Sequence, residues 1–223
     1  MIALIRDYGP QLLRGAWLTI VLAVVSMLIA MVVGLGIALL SSSRFLAVRI
    51  LIRAYVDFFR GTPLLLQLFF IYFVFPEAGV YLSPVVAGVS ALSLNYAAYL
   101  SEVYRATIDA VDHGQWESAT TLGMSRALAF RRIVFPQAFK IAVPPVGNYF
   151  IAIFKDTALV STITVQELMF RTDSLASTTY EYLPLYTVAF VMYFAISYPA
   201  SLLVRWFERR LSRRVSVSTP AGV

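Results

Sequence analysis

Two residues of opposite charge, Lys155 and Asp156, stand side by side inside a long apolar segment at residues 139–164. An ionisable side chain inside a bilayer costs roughly 2.5–3.5 kcal/mol on insertion scales, so both should face protein or water instead of lipid. Neighbouring residues of a helix point about 100° apart, so these two need not pair with each other. They could meet the two opposite charges of a ligand, or each could pair with a neighbouring helix and hold a bundle together.

Three further polar residues are candidates for the same cavity. Asn95 and Tyr96 lie midway along another apolar segment. They could contact a ligand, or they could form hydrogen bonds between helices, which measure about 0.6 kcal/mol. Glu167 would follow Lys155 by three helical turns if the helix continued, which would place it at the outer mouth of the cavity. It could instead belong to an external loop that meets a soluble protein.

The sequence lacks the residue combinations of an enzyme. His113 is the only histidine, and it stands beside a helix start, where a capping or surface role is typical. There is no cysteine and no G-x-x-x-x-G-K-[ST] motif for binding nucleotide phosphates. We therefore predict a non-catalytic protein that binds no metal and no cofactor of its own.

The composition indicates a membrane protein. Hydrophobic residues make up 60% of the 223 residues, charged residues only 13%, and the mean hydropathy is +0.77. Soluble domains carry about 25% charged residues. We predict a single all-α domain over residues 1–223, a polytopic bundle in the lipid bilayer. The net charge of +6 reflects arginines at the ends of spans, and nucleic acid is not expected as a partner.

About five transmembrane helices are expected, since several apolar runs reach the roughly 20 residues that cross a bilayer. They cover residues 13–40, 50–75, 84–108, 139–164 and 183–207. A kink is expected at Pro144 and Pro145. In the second span Arg53, Asp57 and Arg60 occupy the first part. A short surface helix followed by a span from about Pro63 would fit equally well.

The distribution of cations predicts the orientation. Three arginines, Arg6, Arg14 and Arg171, fall on one side of these spans, and Lys155 falls inside one. Cytoplasmic loops carry the excess of Lys and Arg, so the amino terminus is expected outside and the carboxyl terminus in the cytoplasm. The other fourteen cations fall on the cytoplasmic side: Arg44, Arg49, Arg53, Arg60, Arg105, Arg126, Arg131, Arg132, Lys140, Arg205, Arg209, Arg210, Arg213 and Arg214.

The third and fourth spans are separated by a charged cytoplasmic loop at about residues 112–138. Asp112 followed by Gln115 resembles a capping box, which predicts a helix from near His113. Gly123 stands where a left-handed residue would close that helix. Ser125 can cap a second helix that runs to Phe135 and ends before Pro136. Taken alone, the loop could also be a surface helix on lipid headgroups.

The loop resembles the EAA loop in membrane subunits of bacterial ATP-binding-cassette importers. That pattern is Glu-Ala-Ala, three residues, Gly, nine residues, Ile, one residue, Leu-Pro. This chain has Glu117, Ser118 and Ala119 at the first three positions, with Ser in place of the first Ala. Gly123, Ile133 and Pro136 follow at the same spacing, with Phe135 in place of Leu.

Other stretches resemble the polar amino acid branch of these permeases, the histidine/glutamine/arginine type. They are RGTPLLLQLFFIYF at 60–73, LNYAAYLSEVYRA at 94–106 and FKDTALVS at 154–161. The resemblance covers nearly the whole chain. It implies the type I importer permease fold, alternating access, and an amino acid cargo whose carboxylate and ammonium could meet Lys155 and Asp156.

The resemblance also implies partners and roles. The EAA loop is a coupling helix that sits in a cleft of an ATPase subunit, so two ATPases, a second permease subunit of the same or a homologous chain, and an extracytoplasmic substrate-binding protein are expected in a bacterial inner membrane. Glu117 would pair with a basic residue of the ATPase, Ser118 and Ala119 would permit close approach, and Gly123 would supply a joint. Ile133, Phe135 and Pro136 would anchor the loop to the bundle.

Three other functions remain open. A membrane anchor that recruits a soluble partner would explain the loop but not Lys155 and Asp156. A secondary transporter would need no ATPase, although the lack of an inverted repeat argues against it. A permease of the same class could also carry another small solute.

Overall fold

The computed structural model describes residues 2–212, with side chains from 6 to 210, and these residues form helices without any strand. The predicted cytoplasmic cations Arg213 and Arg214 lie outside the described residues. The α-helices are α1 (Ile2–Ser41), α2 (Leu46–Gly61), α3 (Leu64–Phe69), α4 (Pro84–Asp109), α5 (His113–Thr121), α6 (Arg126–Ala129), α7 (Phe135–Asp156), α8 (Leu168–Thr179) and α9 (Tyr182–Ser212).

Helices α1 and α4 form the centre of the bundle. Buried residues of both, among them Leu22, Met27, Leu92 and Leu100, belong to one apolar core. The two backbones approach closely at Gly34, where an added Cβ atom would lie 2.9 Å from the carbonyl oxygen of Ala97. The α1 helix begins well before residue 13, where the first predicted span starts.

The second predicted span is wrong as one continuous helix. Helix α2 ends at Gly61, and the chain turns by 109° before α3 begins at Leu64. Pro63 has no N–H to donate, and it restricts Thr62 to the extended conformation observed there, with φ −120° and ψ 148°. The alternative, a surface helix followed by a span from about Pro63, describes the break correctly. After α3 the helix continues through a π-turn (Phe70–Val74) and a 3-10 turn (Phe75–Ala78).

The fourth predicted span has both ends misplaced. The chain is helical without a break from Arg126, through a π-turn (Phe130–Val134), into α7. The second loop helix therefore does not end before Pro136. Pro136 stands in the first turn of α7, directly after the π-turn, where its lack of an N–H is tolerated. The α-helix ends at Asp156, and a 3-10 turn (Thr157–Ile163) leads to Thr164, whose φ is +66°.

Within the described part of the chain, two helical segments are long and apolar enough to cross a membrane, Arg6–Ser41 and Tyr182–Arg210, and the bent pair Leu46–Gly61 and Leu64–Ala78 would be a third. Helices α4 and α7 contain 26 and 22 residues. At 1.5 Å per residue each is more than about 30 Å long, enough to span the hydrocarbon layer. Helix α4 buries several polar residues, among them Ser93, Asn95 and Tyr96, whereas the polar residues of α7 are half-buried or exposed.

Candidate coupling and substrate sites

The loop between α4 and α7 has the local structure that its sequence predicts. Asp112 caps α5, its carboxylate accepting a hydrogen bond from the Gly114 N–H at 2.6 Å. Gly123 follows the helix with a φ of +73°, in the left-handed region that favours glycine. The Ser125 hydroxyl accepts from the Leu128 N–H at 3.4 Å and begins the next helix. Two capped helices thus meet at one glycine.

The α5 helix presents different residues to the protein and to the surroundings. Glu117 and Ser118 are exposed, and Leu122 at its carboxyl end is 78% exposed. Ala119 is completely buried, and its small side chain lets α5 lie close to the rest of the chain. An exposed carboxylate and an exposed leucine on one short helix are suited to a protein partner with a basic group and an apolar recess.

The loop is anchored by residues other than the predicted ones. Ile133 is half-buried, while Phe135 and Pro136 are exposed. The anchor is instead a small apolar cluster formed by Val111, Val134 and Ala138, with Ile108, Trp116 and Phe130 packed against it. The expectation that Ile133, Phe135 and Pro136 anchor the loop is therefore corrected. The π-turn directs Val134 inward instead.

Trp116 fixes the orientation of α5 on this anchor. Its ring stacks on Phe130 with centroids 6.5 Å apart and planes inclined by 23°. The guanidinium of Arg126 lies 5.9 Å from the centre of the indole ring, within range of a cation–π contact. These contacts join α5 to the helix that continues into α7, so a force applied to α5 is transmitted to the bundle.

A second set of candidate residues meets where α4 and α7 pack together. The Tyr96 hydroxyl donates a hydrogen bond to Oδ2 of Asp156 at 2.7 Å. Tyr96 is almost fully buried, whereas Asp156 in the last turn of α7 is half-buried. The structure thus brings together two of the five candidate pathway residues.

A row of aromatic rings continues from this contact along α4. Tyr149 lies edge-on to Tyr96 with ring centroids 6.0 Å apart, and its centroid is 5.6 Å from that of Tyr99. The guanidinium of Arg60 lies 5.6 Å from the Tyr99 ring centre, and it is 3.6 Å from the Glu102 carboxylate. The candidate site is therefore linked by contacts to the α2–α3 break, where Arg60 stands.

The side chain of Asn95 points to the α2–α3 break and does not contact Asp156. Its side-chain N–H group donates to the Phe59 carbonyl oxygen at 3.1 Å and to Oε1 of Gln67 at 3.0 Å. Gln67 in turn donates to the carbonyl oxygens of Phe59 and Thr62 at 2.9 and 3.0 Å. Sequence reasoning missed Gln67, although a glutamine in the apolar run after Pro63 was a visible signal.

Among the described residues, neither Lys155 nor Glu167 forms a hydrogen bond with Tyr96 or Asp156. Lys155 is exposed at the last turn of α7, where a cation interacts favourably with the helix dipole. Glu167 does not continue the helix of Lys155, since α7 has ended; it caps α8 and is fully buried. Its carboxylate accepts hydrogen bonds from Thr19 at 3.1 Å and Tyr193 at 2.7 Å. This geometry ties α1, α8 and α9 together.

The chain matches a known family over most of its length. Residues 30–213 match the model of the family described as binding-protein-dependent transport system inner membrane component. The chain belongs to this family of inner membrane permeases. The predicted membership among the membrane subunits of bacterial importers that work with a binding protein is thereby confirmed.

Curated relatives match the permease from end to end. An L-cystine transport system permease protein of Bacillus subtilis is 39% identical over 212 residues, covering 95% of this chain and 91% of the relative. A nopaline transport system permease protein of Agrobacterium fabrum is also 39% identical, over 98% and 97% of the two chains.

A solved structure has the same fold. The permease superposes with a TM-score of 0.88 on a chain from the crystal structure of an amino acid ABC transporter with histidines, at 38% sequence identity. The match covers 92% of this chain and 96% of that chain. The predicted fold, a helical membrane permease of the type I importer class, is confirmed.

Proposed function

We propose that the permease is the membrane subunit of an ATP-driven importer that moves polar amino acids into the cytoplasm by alternating access. The observation that carries this proposal is the exposed α5, capped at both ends and anchored through Trp116 to the bundle. The relatives support the choice of cargo, because those that match over most of their length include permeases named for cystine and nopaline.

Helix α5 is the element through which ATPase closure is transmitted. Glu117 offers a carboxylate to a basic residue of an ATPase, and Leu122 offers an apolar contact. Gly123 lets α5 join the following helix at a fixed angle, since glycine takes positive φ without strain. The permease itself carries no nucleotide or other cofactor, and ATP is bound and hydrolysed by the partner subunits.

The assembly has three kinds of protein component at the lipid bilayer. Two ATPase subunits dock on the cytoplasmic coupling loops, and two permease subunits, identical or homologous, enclose the pathway. An extracytoplasmic substrate-binding protein delivers the cargo from the outer side. The positive-inside distribution supports an external amino terminus and a cytoplasmic carboxyl terminus.

The substrate pathway includes the Tyr96–Asp156 pair. Tyr96 orients the Asp156 carboxylate by a hydrogen bond of 2.7 Å, and the half-buried carboxylate can receive the ammonium group of an amino acid. Lys155, exposed one residue earlier, supplies a cation for a carboxylate on the pathway. Asn95 and Glu167 act as structural residues, since their polar atoms are committed to the α2–α3 break and to the α1–α8–α9 junction.

The proposal is tested by purifying the tagged permease from its native membrane in mild detergent and identifying bound proteins by mass spectrometry. We expect an ABC ATPase with the unaltered chain, and its loss with Glu117→Lys. The matched control is Glu181→Lys, which reverses the charge of an exposed glutamate beyond α8. A permease that retains no ATPase under any mild condition would favour a secondary transporter or a membrane anchor instead.

A further inference from the structure

Helix α2 has one face packed against the bundle. Val56 is buried, and Ile52 and Tyr55 pack against the main apolar core. The Tyr55 hydroxyl donates a hydrogen bond of 2.6 Å to the Leu94 carbonyl oxygen in α4. The helix is therefore held in a fixed orientation, and its other faces are presented outward in a defined way.

A second face of α2 is apolar and exposed. Leu46, Ile50, Leu51 and Phe58 are each between 58% and 69% exposed. The 109° bend after Gly61 sets α2 at a steep angle to the α3 segment that follows it. An exposed apolar face on a helix lying across the direction of a span is typical of a helix at the membrane interface.

A cationic stripe separates these two faces. Arg49, Arg53 and Arg60 are all exposed, and one acid, Asp57, lies among them. Arg49 and Arg53 are four residues apart, so their side chains emerge from the same side of the helix about 5–6 Å from each other at Cβ. Two guanidinium groups at that separation can reach the oxygens of one phosphate group.

Two adjoining grooves run along the stripe and share Arg49, Arg53 and Asp57. One, of about 380 Å³, lies between α2 and α4 and is lined also by Ser41, Ser42 and Glu102. The other, of about 490 Å³, opens toward the exposed apolar face at Leu46, Ile50 and Ala54. Cations thus stand between a polar groove and an apolar one, an arrangement that matches a molecule with a charged head and a hydrocarbon tail.

The charges of the polar groove are unevenly paired. Glu102 receives Arg105 at 2.9 Å and Arg60 at 3.6 Å, and Arg105 also lies 3.3 Å from Asp109. Among the described residues, no carboxylate lies within 4.0 Å of the guanidinium of Arg49 or Arg53. Asp57 repels an anion in this groove, but Arg49 and Arg53 together outweigh it by one positive charge.

We propose that Arg49 and Arg53 bind the phosphate of an anionic phospholipid in the cytoplasmic leaflet, with its acyl chains along Leu46, Ile50 and Ala54. The apolar groove favours a lipid over a small soluble anion, because a small anion would leave that groove empty. The lipid holds α2 against the membrane next to the α2–α3 break. The lipid site uses none of the residues proposed for the cargo or for the ATPase, so lipid binding can be measured separately from both.

Native mass spectrometry of the full-length permease in detergent tests the proposal, with titration by dioleoyl phosphatidylglycerol or dioleoyl phosphatidylcholine. We expect tight binding of phosphatidylglycerol only. The double variant Arg49→Gln/Arg53→Gln should weaken phosphatidylglycerol binding roughly 30-fold, because each cation near an anionic surface raises the affinity about fivefold. Arg49→Lys/Arg53→Lys, which keeps both charges, should retain most of the binding and guards against a loss caused by misfolding.

The matched control is Arg205→Gln/Arg209→Gln, which removes two exposed cations from α9 on the same predicted side. Unchanged phosphatidylglycerol binding by this control supports the site on α2. Equal weakening by both glutamine pairs would show a diffuse surface effect and overturn the proposal. Equally tight binding of glycerol 3-phosphate, which has no acyl chains, would also overturn it, because the site would then be one for soluble anions.

Discussion

The Tyr96 hydroxyl donates a 2.7 Å hydrogen bond to Oδ2 of Asp156, and this contact joins the middle of α4 to the last turn of α7. The other carboxylate oxygen of Asp156, Oδ1, accepts no hydrogen bond from the described residues. The aspartate is therefore held in position by one oxygen while the other can receive a proton donor. An ammonium group of a transported amino acid is a donor of the required charge.

Asp156→Asn is expected to lower amino acid uptake at least tenfold, while the ATPase still co-purifies with the permease. The amide keeps the shape but removes the charge, and hydrogen bonds to charged groups contribute about 1.5–3 kcal/mol. Uptake is measured in proteoliposomes that contain the permease, the ATPase and the binding protein. Tyr96→Phe, which keeps the charge but frees the carboxylate, should raise KM more than it lowers the maximal rate.

The control for Asp156→Asn is Asp173→Asn. Asp173 accepts a hydrogen bond of the same length, 2.7 Å, from the Tyr186 hydroxyl, but it is exposed. Direct binding of the amino acid to the detergent-solubilised complex should be unchanged in this variant. Normal uptake by Asp156→Asn would contradict the proposed role of Asp156 in the substrate pathway.

Glu167→Ala is expected to destabilise the permease by roughly 2–4 kcal/mol, because the hydroxyl groups of the buried Thr19 and the half-buried Tyr193 would lose their acceptor. The loss is measured as the shift of the denaturant midpoint in detergent. Glu181→Ala, which truncates an exposed glutamate, should leave the midpoint unchanged. A Glu167→Ala chain as stable as the unaltered one would show that the α1–α8–α9 junction does not depend on this carboxylate.

Local signals in the sequence predicted the two helix starts and the glycine turn of the loop between α4 and α7. Asp112, Gly123 and Ser125 act on the backbone within three residues of their own positions, so their types determine the helix ends directly. The apolar spans within α1 and α9 were predicted for a similar reason, since a span is a property of consecutive residues, although α1 begins before the predicted start at residue 13.

Features that depend on distant partners were not predictable from the sequence. Pro63 indicated the break after α2, but the sequence does not show that Gln67 and Asn95 hold the break, and Asn95 is 36 residues from its acceptor Phe59. Glu167 finds Thr19 across 148 residues, so no local pattern distinguishes it from a residue at the mouth of a cavity. Val134 became the loop anchor because a π-turn shifted the helix face by a fraction of a turn.

Gly123→Val is expected to uncouple ATP hydrolysis from transport. A β-branched residue at a φ of +73° is strained by about 1–2 kcal/mol, so α5 would leave its present angle to the following helix. Hydrolysis and uptake are measured together in proteoliposomes, and the ratio of amino acid moved to ATP consumed should fall severalfold. Gly123→Asn is the control, since asparagine tolerates the left-handed conformation and open space surrounds the Cβ position. Normal coupling in the valine variant would contradict the role of the glycine joint.

Gly34→Ala is expected to destabilise the permease by about 1–3 kcal/mol, because the added methyl group would lie 2.9 Å from the Ala97 carbonyl oxygen and force α1 away from α4. Gly36 is the matched control two residues later in the same helix, where an added Cβ atom meets nothing within 4 Å. Gly36→Ala should change the free energy of unfolding by less than about 1 kcal/mol, the limit set by helix propensity. Both are measured by denaturant unfolding in detergent. If Gly34→Ala and Gly36→Ala destabilised the permease equally, the close contact between α1 and α4 would not explain the need for glycine at position 34.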